Sequence, residues 1–371
     1  MVIEPLVPSA PRRPGAHTVH IGDVTFGGGR VPIIAGPCAV EPGYVEHARL
    51  TAEGGASALR GCVFKPRTRP HSFQGVGSEG FELLDRARRV TGLPVLAEPL
   101  EAAHVDELLP HVDALLIGAR SMHNTPLLRK AGRVRLPVVV KRGMSSTYDE
   151  WLAAAEYIAE AGNDQIILCE RGIRTFETAT RNTLDVSSIV VLRERTDLPI
   201  IVDPSHAAGR REWVAPLALA AIAAGADGLL IECHPSPQLS MCDAAQAITP
   251  AELSELVLAA ELLSASVRPA AARNVDEARS AINAIDSAIA HLVDRRARVV
   301  DGITRVKRDL GLPLRDRSRE HVVITAAQQR ARNVHPDGVA IVMRAVIEAC
   351  VASSWVDEES DGSDLAVAEA R

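Results

Sequence analysis

The chain has 371 residues, of which 47% are hydrophobic and 24% are charged, a composition typical of a soluble globular protein with enough apolar material for a sizeable core. Its formal net charge of −6 excludes a general attraction for nucleic acid or for an anionic membrane, so anions must be bound by local clusters of Arg and Lys. The sequence contains no apolar run near the roughly 20 residues of a membrane span and no apolar leader segment at the Pro-rich N-terminus, which predicts a cytoplasmic protein that binds small molecules.

The first 263 residues carry the pattern of an α/β barrel. Residues 1–30 are predicted to form an extension and a short hairpin, His17 to Phe26, that plugs the N-terminal end of the barrel. Residues 31–263 then alternate short apolar runs with amphipathic helical stretches such as Glu79 to Val90 and Tyr148 to Ala161. The predicted strands are residues 31–35, 59–64, 94–97, 114–117, 137–140, 165–168, 199–202 and 228–231. Because strands covered on both faces are continuously apolar, eight βα repeats favour a closed (β/α)8 barrel over an open sheet.

The remainder of the chain is predicted to be all-helical. Residues 264–273, rich in Ala, Ser and Pro, are predicted to be a linker. Residues 274–355 carry apolar residues at helical spacing, with one long helix to Leu310 and two shorter helices at about 316–331 and 336–355. Three helices bury little core by themselves, so this domain is expected to dimerise or to dock on the barrel. The acidic segment 356–371 is predicted to be a flexible tail.

Residue types that carry chemistry recur where the predicted strands end, which is where a parallel barrel places its active site. The segments are Gly36-Pro37-Cys38, Lys65-Pro66-Arg67-Thr68, Glu98, Gly118-Ala119-Arg120, Lys141-Arg142-Gly143, Cys169-Glu170-Arg171-Gly172, Asp203-Pro204-Ser205-His206 and Glu232-Cys233-His234. One such residue alone is more often a packed or solvated side chain. Recurrence at nearly every strand end favours a shared site.

Two sets of residues within these segments predict different chemistry. The first is basic and comprises Arg60, Lys65, Arg67, Arg120, Lys141, Arg142 and Arg171. So many positive charges around one barrel mouth predict two phosphorylated or carboxylated substrates bound side by side. The second set comprises Cys38, His206, Glu232 and Asp243. A thiolate, an imidazole and two carboxylates suit a divalent transition metal such as Mn, Fe, Zn or Co that acts as a Lewis acid on a carbonyl.

Several of these motifs together resemble one enzyme family. Residues 34–41 (IAGPCAVE), 64–68 (FKPRT), 72–75 (SFQG), 117–120 (IGAR), 169–172 (CERG) and 203–206 (DPSH) are similar, in order and spacing, to the type I beta branch of the 3-deoxy-D-arabino-heptulosonate 7-phosphate synthases. The resemblance covers roughly residues 20–262. It implies metal-dependent condensation of phosphoenolpyruvate with erythrose 4-phosphate, the first step of the shikimate pathway.

The resemblance also implies roles for individual residues. The metal ligands would be Cys38, His206, Glu232 and Asp243. The residues that hold phosphoenolpyruvate would be Arg60, Lys65, Arg120, Lys141 and Arg171, with Arg142 and Asp203 nearby. Lys65, Arg67 and Thr68 would contact erythrose 4-phosphate, and either Lys65 or metal-bound water would protonate the new alkoxide.

The alternative for the barrel is the octulosonate branch of the same fold, whose second substrate is arabinose 5-phosphate. That branch typically has a Lys-Ala-Asn element where this chain has Lys65-Pro66-Arg67-Thr68, so the sequence favours the heptulosonate reaction. One departure is Ser121-Met122-His123-Asn124, where relatives often carry Asn-Met-Gln-Asn.

The helical domain resembles the all-helical chorismate mutases between Arg279 and Glu320. The matching positions are Ile282, Ile285-Asp286, Arg296, Lys307, Pro313, Asp316 and Arg319-Glu320. Arg296 and Lys307 are 11 residues apart, about three helical turns, and therefore share one helix face. The resemblance implies that Arg279 reaches into a partner subunit's site, that Arg296 and Lys307 hold the dicarboxylate, and that Arg319 and Glu320 complete the pocket. A solvated basic face is the alternative interpretation.

The end of the last helix departs from this second family. Cys350 and Ser354 stand where the family usually has a Ser and then a Gln that donates to the ether oxygen of chorismate. Loss of one such donor costs roughly 2.7–4 kcal/mol of transition-state stabilisation. The domain is therefore expected either to convert chorismate to prephenate weakly or to act as a regulatory module that binds these compounds. A homodimer or homotetramer is expected.

Overall fold

The computed structural model describes residues 2–3, 17–67, 69–267, 270–271 and 275–365. They fall into two compact units, Met1–Ile282 and Asn283–Arg371, and each unit is described by itself.

The first unit is built on a closed barrel of eight parallel strands, as predicted. The strands are β4 (Ile33–Gly36), β5 (Ala58–Arg60), β6 (Val95–Ala97), β7 (Ala114–Ile117), β8 (Val138–Lys141), β9 (Ile166–Glu170), β10 (Ile200–Val202) and β11 (Gly228–Glu232). They follow one another around the barrel in chain order, and β11 pairs with β4 to close it. Every residue of these strands is buried, which explains why the runs are continuously apolar rather than alternating.

Helices connect the strands of the barrel. They are α1 (Tyr44–Glu53), α2 (Phe81–Thr91), α3 (Ala102–Leu108), α4 (Thr125–Gly132), α5 (Tyr148–Glu160), α6 (Ser187–Arg195), α7 (Pro204–Ala208), α8 (Val214–Ala224) and α9 (Pro250–Val267). The last of these extends past residue 264, where the predicted linker begins. Two further short strands, β1 (Val2–Ile3) and β12 (Ala270–Ala271), pair antiparallel.

The second barrel strand is shorter than the sequence predicts. The apolar run continues to Phe64, but β5 ends at Arg60. The backbone beyond it bonds within its own loop: the amide of Lys65 donates to the carbonyl of Gln74, and the amide of Gly77 donates to the carbonyl of Val63. Lys65 therefore lies in a loop at the mouth of the barrel and not directly at the end of a strand.

The predicted N-terminal hairpin is present and closes the bottom of the barrel. Strands β2 (Val19–Ile21) and β3 (Val24–Phe26) pair antiparallel. Their buried side chains join the cluster of inward-facing barrel residues. A Cβ placed on Gly228, the first residue of β11, would lie 3.0 Å from the Phe26 ring, so the hairpin lies at the N-terminal ends of the strands. The opposite end stays available for a site.

The second unit is helical, as predicted. It comprises the part of α10 (Val275–Asp309) from Asn283 onward, followed by α11 (Arg317–Arg330) and α12 (Pro336–Leu365). Gly311 adopts a φ of 64°, a left-handed conformation that glycine adopts without strain, and this residue ends α10 where the sequence predicts the break. The last helix continues to Leu365, into the segment predicted to be a flexible tail. Within the described residues no helix combines the length and the apolar character that crossing a membrane requires.

Candidate active site

Four side chains with metal-ligating atoms meet at the carboxyl ends of the barrel strands. Cys38 follows β4, His206 lies in α7 directly after β10, Glu232 ends β11, and Asp243 lies in the loop after β11. One ligand atom from each of the four lies within 4.8 Å of the others. These residues belong to the ends of three different strands, up to 205 positions apart, and the closed barrel brings them together.

The orientation of His206 suits a metal ligand. Its Nδ1 lies 2.7 Å from Asp203 Oδ2, and its backbone amide donates to Asp203 Oδ1 at 2.9 Å. Burial lowers the pKa of His206 well below its usual value, so the ring is neutral. The carboxylate beside Nδ1 favours the proton on that nitrogen, although the pair lacks hydrogen-bond geometry. Nε2, left without a proton, faces Glu232 Oε1 at 3.4 Å and Asp243 Oδ2 at 3.7 Å. A carboxylate behind a ligating histidine is a recurrent feature of metal sites.

Glu232 supplies a second indication. Its side chain is fully buried, yet its Oε1 has no hydrogen-bond partner among the described residues. Burial, with Cys38 beside it, raises the pKa of Glu232 well above its usual range, because a desolvated anion is costly. A divalent cation among these four side chains would stabilise the carboxylate, so the residues present fit such a cation.

The protonation of the Cys38 thiol is set by the groups around it. A hydrogen bond with Cys242, together with burial, raises the pKa of Cys38 well above its usual value. Its Sγ donates to Asp243 Oδ2 at 3.2 Å. Metal coordination requires the thiolate, so binding of a cation would displace this proton.

Buried basic side chains surround the cluster. Arg60 is only 1% exposed and lies 3.1 Å from Glu232 Oε1 through Nη1. Lys65 donates to the carbonyl oxygen of Cys38 at 2.9 Å. Burial lowers the pKa of Lys65, but the nearby thiols and Glu98 outweigh it and raise the pKa well above the usual value. Lys65 is therefore an ammonium group at neutral pH and can donate a proton.

Asp203 links the basic residues to the cluster. Lys141 donates to Asp203 Oδ2 at 2.5 Å, the oxygen that also faces His206. Burial alone would raise the pKa of Asp203, but His206 and Lys141 hold it well below its usual range. Asp203 is therefore a carboxylate that orients both neighbours.

The structure gives Arg142 a different environment from the other predicted substrate-binding residues. Its Nη1 donates to Glu170 Oε2 at 3.0 Å and to Asp185 Oδ2 at 2.7 Å, and its guanidinium lies 4.6 Å from the centre of the Tyr148 ring. Two carboxylates already compensate this charge. Arg142 thus connects the loops after β8 and β9.

The other predicted substrate-binding residues of the barrel also follow its strands. Arg171 is buried and follows β9. Arg67 is half-buried after β5, and Arg120 is exposed after β7, so both lie at the same end of the barrel as the cluster. Thr68 lies outside the described residues.

Two side chains of the site were missed by the sequence analysis. Gln246 donates to Glu232 Oε2 at 2.6 Å, and Arg181 donates to Asp243 Oδ1 at 2.9 Å. Neither lies at the end of a strand. Their loops have no local pattern that distinguishes these residues from ordinary polar loop residues.

The predicted site residues of the helical domain lie on α10, α11 and α12 and at the start of α11. Arg279, Arg296 and Lys307 lie on α10, and Nη1 of Arg296 is buried without a hydrogen-bond partner among the described residues. Lys307 donates to the carbonyl of Leu314 at 3.0 Å. The basic residues therefore belong to one continuous helix.

The acidic residues of this predicted site have structural partners. Asp316 caps α11 by accepting from the amide of Arg319 at 3.0 Å, and Glu320 pairs with Arg315 at 2.7 Å. Cys350 is buried on α12. The side chain of Ser354 lies outside the described residues.

Comparison with known proteins finds two family models that match different parts of the chain. Residues 12–266 match the DAHP synthetase I family, where DAHP is 3-deoxy-D-arabino-heptulosonate 7-phosphate. Residues 278–354 match chorismate mutase type II.

The barrel also resembles individual characterised proteins. A phospho-2-dehydro-3-deoxyheptonate aldolase of Thermotoga maritima is 48% identical over 241 residues, covering 64% of this chain and 71% of that protein. A 2-dehydro-3-deoxyphosphooctonate aldolase of Syntrophotalea carbinolica is 34% identical over 252 residues, covering 62% of this chain and 90% of that protein. The crystal structure of a DAHP synthase from Thermotoga maritima aligns with a TM-score of 0.65 and 44% identity, covering 69% of this chain and 76% of that chain.

The ligand cluster predicts that Cys38→Ser removes divalent-metal binding while the fold is retained, because a neutral hydroxyl replaces a thiolate ligand at one corner of the site. Metal content after dialysis against Co²⁺ or Zn²⁺, measured by mass spectrometry, checks this. Cys350→Ser, which changes a buried thiol of the helical unit, is the control and should keep its metal. Equal metal content in both variants would contradict the assignment of Cys38.

Proposed function

This chain belongs to the DAHP synthetase I family, and on that premise we propose that its barrel condenses phosphoenolpyruvate with erythrose 4-phosphate to DAHP and phosphate. The observation that carries the proposal is the cluster of Cys38, His206, Glu232 and Asp243 at the barrel mouth, next to buried basic side chains. The name of the Thermotoga maritima relative supports the same reaction. It is the entry reaction of the shikimate pathway.

The choice of the second substrate rests on sequence. The relative named for the heptonate product is 48% identical, whereas relatives named for the octonate product reach 34%. The Lys65-Pro66-Arg67-Thr68 segment favours the four-carbon aldehyde in the same way. A barrel that uses arabinose 5-phosphate is the second candidate, since several relatives are named 2-dehydro-3-deoxyphosphooctonate aldolase.

Charge complementarity explains how the substrates would be held. Arg60, Lys65, Lys141 and Arg171 are all buried, and in a site closed to bulk water their fixed charges favour the phosphate and carboxylate of phosphoenolpyruvate strongly. The exposed side chain of Arg120 would complete this set. Arg67 and Thr68 would contact the phosphate of erythrose 4-phosphate.

The reaction consumes one water: it forms a carbon–carbon bond and a carbon–oxygen bond from water to C2, and it breaks the bond between C2 and the phosphate oxygen, so that phosphate leaves with one proton of the water. The enol carbon of phosphoenolpyruvate attacks the aldehyde carbon, water adds at C2, and phosphate leaves. A divalent cation held by the four-residue cluster would supply Lewis acidity toward a carbonyl. The ammonium of Lys65 donates the proton that the new alkoxide requires, and Asp203 keeps Lys141 and His206 in place during these steps.

This mechanism predicts that Lys65→Met lowers kcat roughly 10²–10³-fold, as loss of a preorganised donor does in other enzymes. Phosphate release from phosphoenolpyruvate and erythrose 4-phosphate measures it. Lys130→Met is the control, because Lys130 lies on α4 and pairs with Asp106 away from the cluster.

The wild-type assay includes a chelator arm and an arabinose 5-phosphate arm. A chelator should abolish phosphate release and added divalent metal should restore it. Faster turnover with arabinose 5-phosphate than with erythrose 4-phosphate would favour the second candidate instead.

For the helical unit we propose binding of chorismate and prephenate, with slow conversion of one to the other. The match to chorismate mutase type II supports this, as does the buried, unpartnered Nη1 of Arg296, which suits a carboxylate. The absence of a Gln near residue 354 in the sequence explains why the conversion is expected to be slow. Occupancy of this unit would also give feedback on the synthase reaction.

Arg296→Ala is expected to weaken chorismate turnover and prephenate binding by one to two orders of magnitude, because a hydrogen bond to a charged group contributes about 1.5–3 kcal/mol. Chorismate absorbance and titration calorimetry measure these effects, and any response of the synthase rate to prephenate should disappear with them. Arg298→Ala, on the opposite side of α10, should behave as wild type. Identical results for both variants would argue against a site at Arg296.

We also propose that the functional unit is at least a dimer. Apolar residues are exposed along one face of α10 in a heptad arrangement, which Leu310 continues directly after the helix: Ile282, Ile289, Leu292, Val299, Ile303 and Val306. A stripe with this spacing is the pattern of a helix that packs against another helix. Arg296 and Lys307 lie on the same face, so a second copy would cover the basic residues as well.

Val299→Glu is expected to shift the full chain from dimer to monomer, because it places a charge in the centre of the stripe. Light scattering on a sizing column measures the mass. Arg298→Glu introduces the same charge on the polar side of the helix and should leave the dimer intact. A monomeric wild-type chain, or a dimeric Val299→Glu variant, would exclude this interface.

A further inference from the structure

The two carboxylates of the cluster each use only one oxygen toward its centre. Glu232 directs Oε1 at His206, and its Oε2 accepts a hydrogen bond from Gln246 Nε2 at 2.6 Å. Asp243 directs Oδ2 at Cys38 and His206, and its Oδ1 accepts from Arg181 Nη1 at 2.9 Å. The outer oxygen of each carboxylate is therefore held by a side chain that does not itself belong to the cluster.

These two outer side chains are also joined to each other. Arg181 Nη1 donates to Gln246 Oε1 at 2.7 Å. The amide of Gln246, only 2% exposed, thus has its oxygen against a guanidinium and its nitrogen against a carboxylate. A flipped amide would set like charges or dipoles against each other on both sides, so a single orientation is favoured.

Arg181 is placed by the helix that carries His206. The amide of Asn182 donates to the carbonyl of Ala207 at 2.9 Å, and its side chain donates to the carbonyl of His206 at 3.1 Å. The chain approaches this helix closely: a Cβ on Gly209 would lie 2.5 Å from the Cβ of Arg181. The loop of Arg181 is thereby fixed relative to His206.

The segment that carries Asp243 needs such support. Asp243 has a φ of 56°, a left-handed conformation that is uncommon for a residue with a side chain, although Asp adopts it more readily than most, and surrounding contacts keep it in place. Its side chain is also close to a second carboxylate, that of Glu232. The guanidinium of Arg181 compensates the charge of Asp243 and fixes the rotation of its side chain.

We propose that Arg181 and Gln246 are positioning residues that hold Asp243 and Glu232 with one oxygen each directed at the metal. The proposal rests on the metal-dependent function given above. Partners of this kind typically change metal affinity about 10–100-fold when they are removed.

Titration of the chelator-treated full-length protein with Co²⁺ tests the proposal, since Co²⁺ absorption reports the geometry of its ligands as well as binding. Gln246→Met and Arg181→Met are each expected to raise the Kd for Co²⁺ about 10–100-fold and to change the absorption spectrum at saturation. In the double variant the Kd for Co²⁺ should rise by less than the product of the two single fold-changes, because both residues belong to one hydrogen-bonded chain. Saturating Co²⁺ should restore most of the synthase rate.

Two further variants complete the test, one as a control and one as a replacement for Gln246→Met. Arg174→Met removes an exposed arginine from the same loop and should bind Co²⁺ as wild type. Gln246→Glu keeps the size of the side chain but sets a carboxylate against Glu232, and it should also weaken Co²⁺ binding. This variant serves if Gln246→Met does not fold, as judged by circular dichroism.

The outcomes separate the possible failures. Wild-type Co²⁺ affinity in both the Arg181 and the Gln246 variants would overturn the positioning role alone. A raised KM for phosphoenolpyruvate or erythrose 4-phosphate with unchanged Co²⁺ affinity would assign Arg181 to substrate binding and would also overturn it. The proposed metal-dependent function fails as well if the wild-type chain binds no Co²⁺, or if Cys38→Ser binds Co²⁺ as the wild type does.

Discussion

The carboxylate of Glu232 is fully buried at the end of β11, and a buried carboxylate requires positive charge beside it. Arg60 supplies positive charge on one side of it, and the unprotonated Nε2 of His206 faces it from the other. Neither contact satisfies Oε1 with a hydrogen bond. The need for positive charge connects the ligand cluster with the buried basic side chains around it, which we call the basic pocket, because the carboxylate of Glu232 faces both.

Asp203 solves a related problem at the neighbouring strand. It follows β10, is fully buried, and is kept ionised by His206 and Lys141. One carboxylate thus orients a residue of the ligand cluster and a residue of the basic pocket together. A substitution at Asp203 would therefore disturb both at once, whereas a change at Arg181 or Gln246 would act on the outer oxygens of the ligands alone.

The helical unit follows a different principle. Its charged residues are largely exposed and pair along the surface, as Arg315 does with Glu320 and Glu348. Surface pairs of this kind contribute little to stability. The apolar stripe of α10 and the buried nitrogen of Arg296 are the features that require a partner or a ligand, and one face of one helix carries both.

The sequence by itself determined the eight strands, the N-terminal hairpin, the helical character of the second unit and the break at Gly311, because each depends on a local apolar pattern or on the conformational freedom of one residue. It also placed Cys38, His206 and Glu232 in segments at the ends of strands, which meet in any closed parallel barrel. The tertiary structure decided which residues pair across loops. Only there does Arg142 face two carboxylates and a tyrosine ring.

The pairing of Arg181 with Asp243 and Gln246 spans 62 and 65 positions, and no periodicity in the sequence relates loops that far apart. The end of β5 at Arg60 depends likewise on hydrogen bonds within the loop that follows it, since the apolar run alone would continue the strand. Local patterns determine secondary structure because they depend on which face of an element is buried. The partners of polar side chains in loops are determined by how the closed barrel brings those loops together.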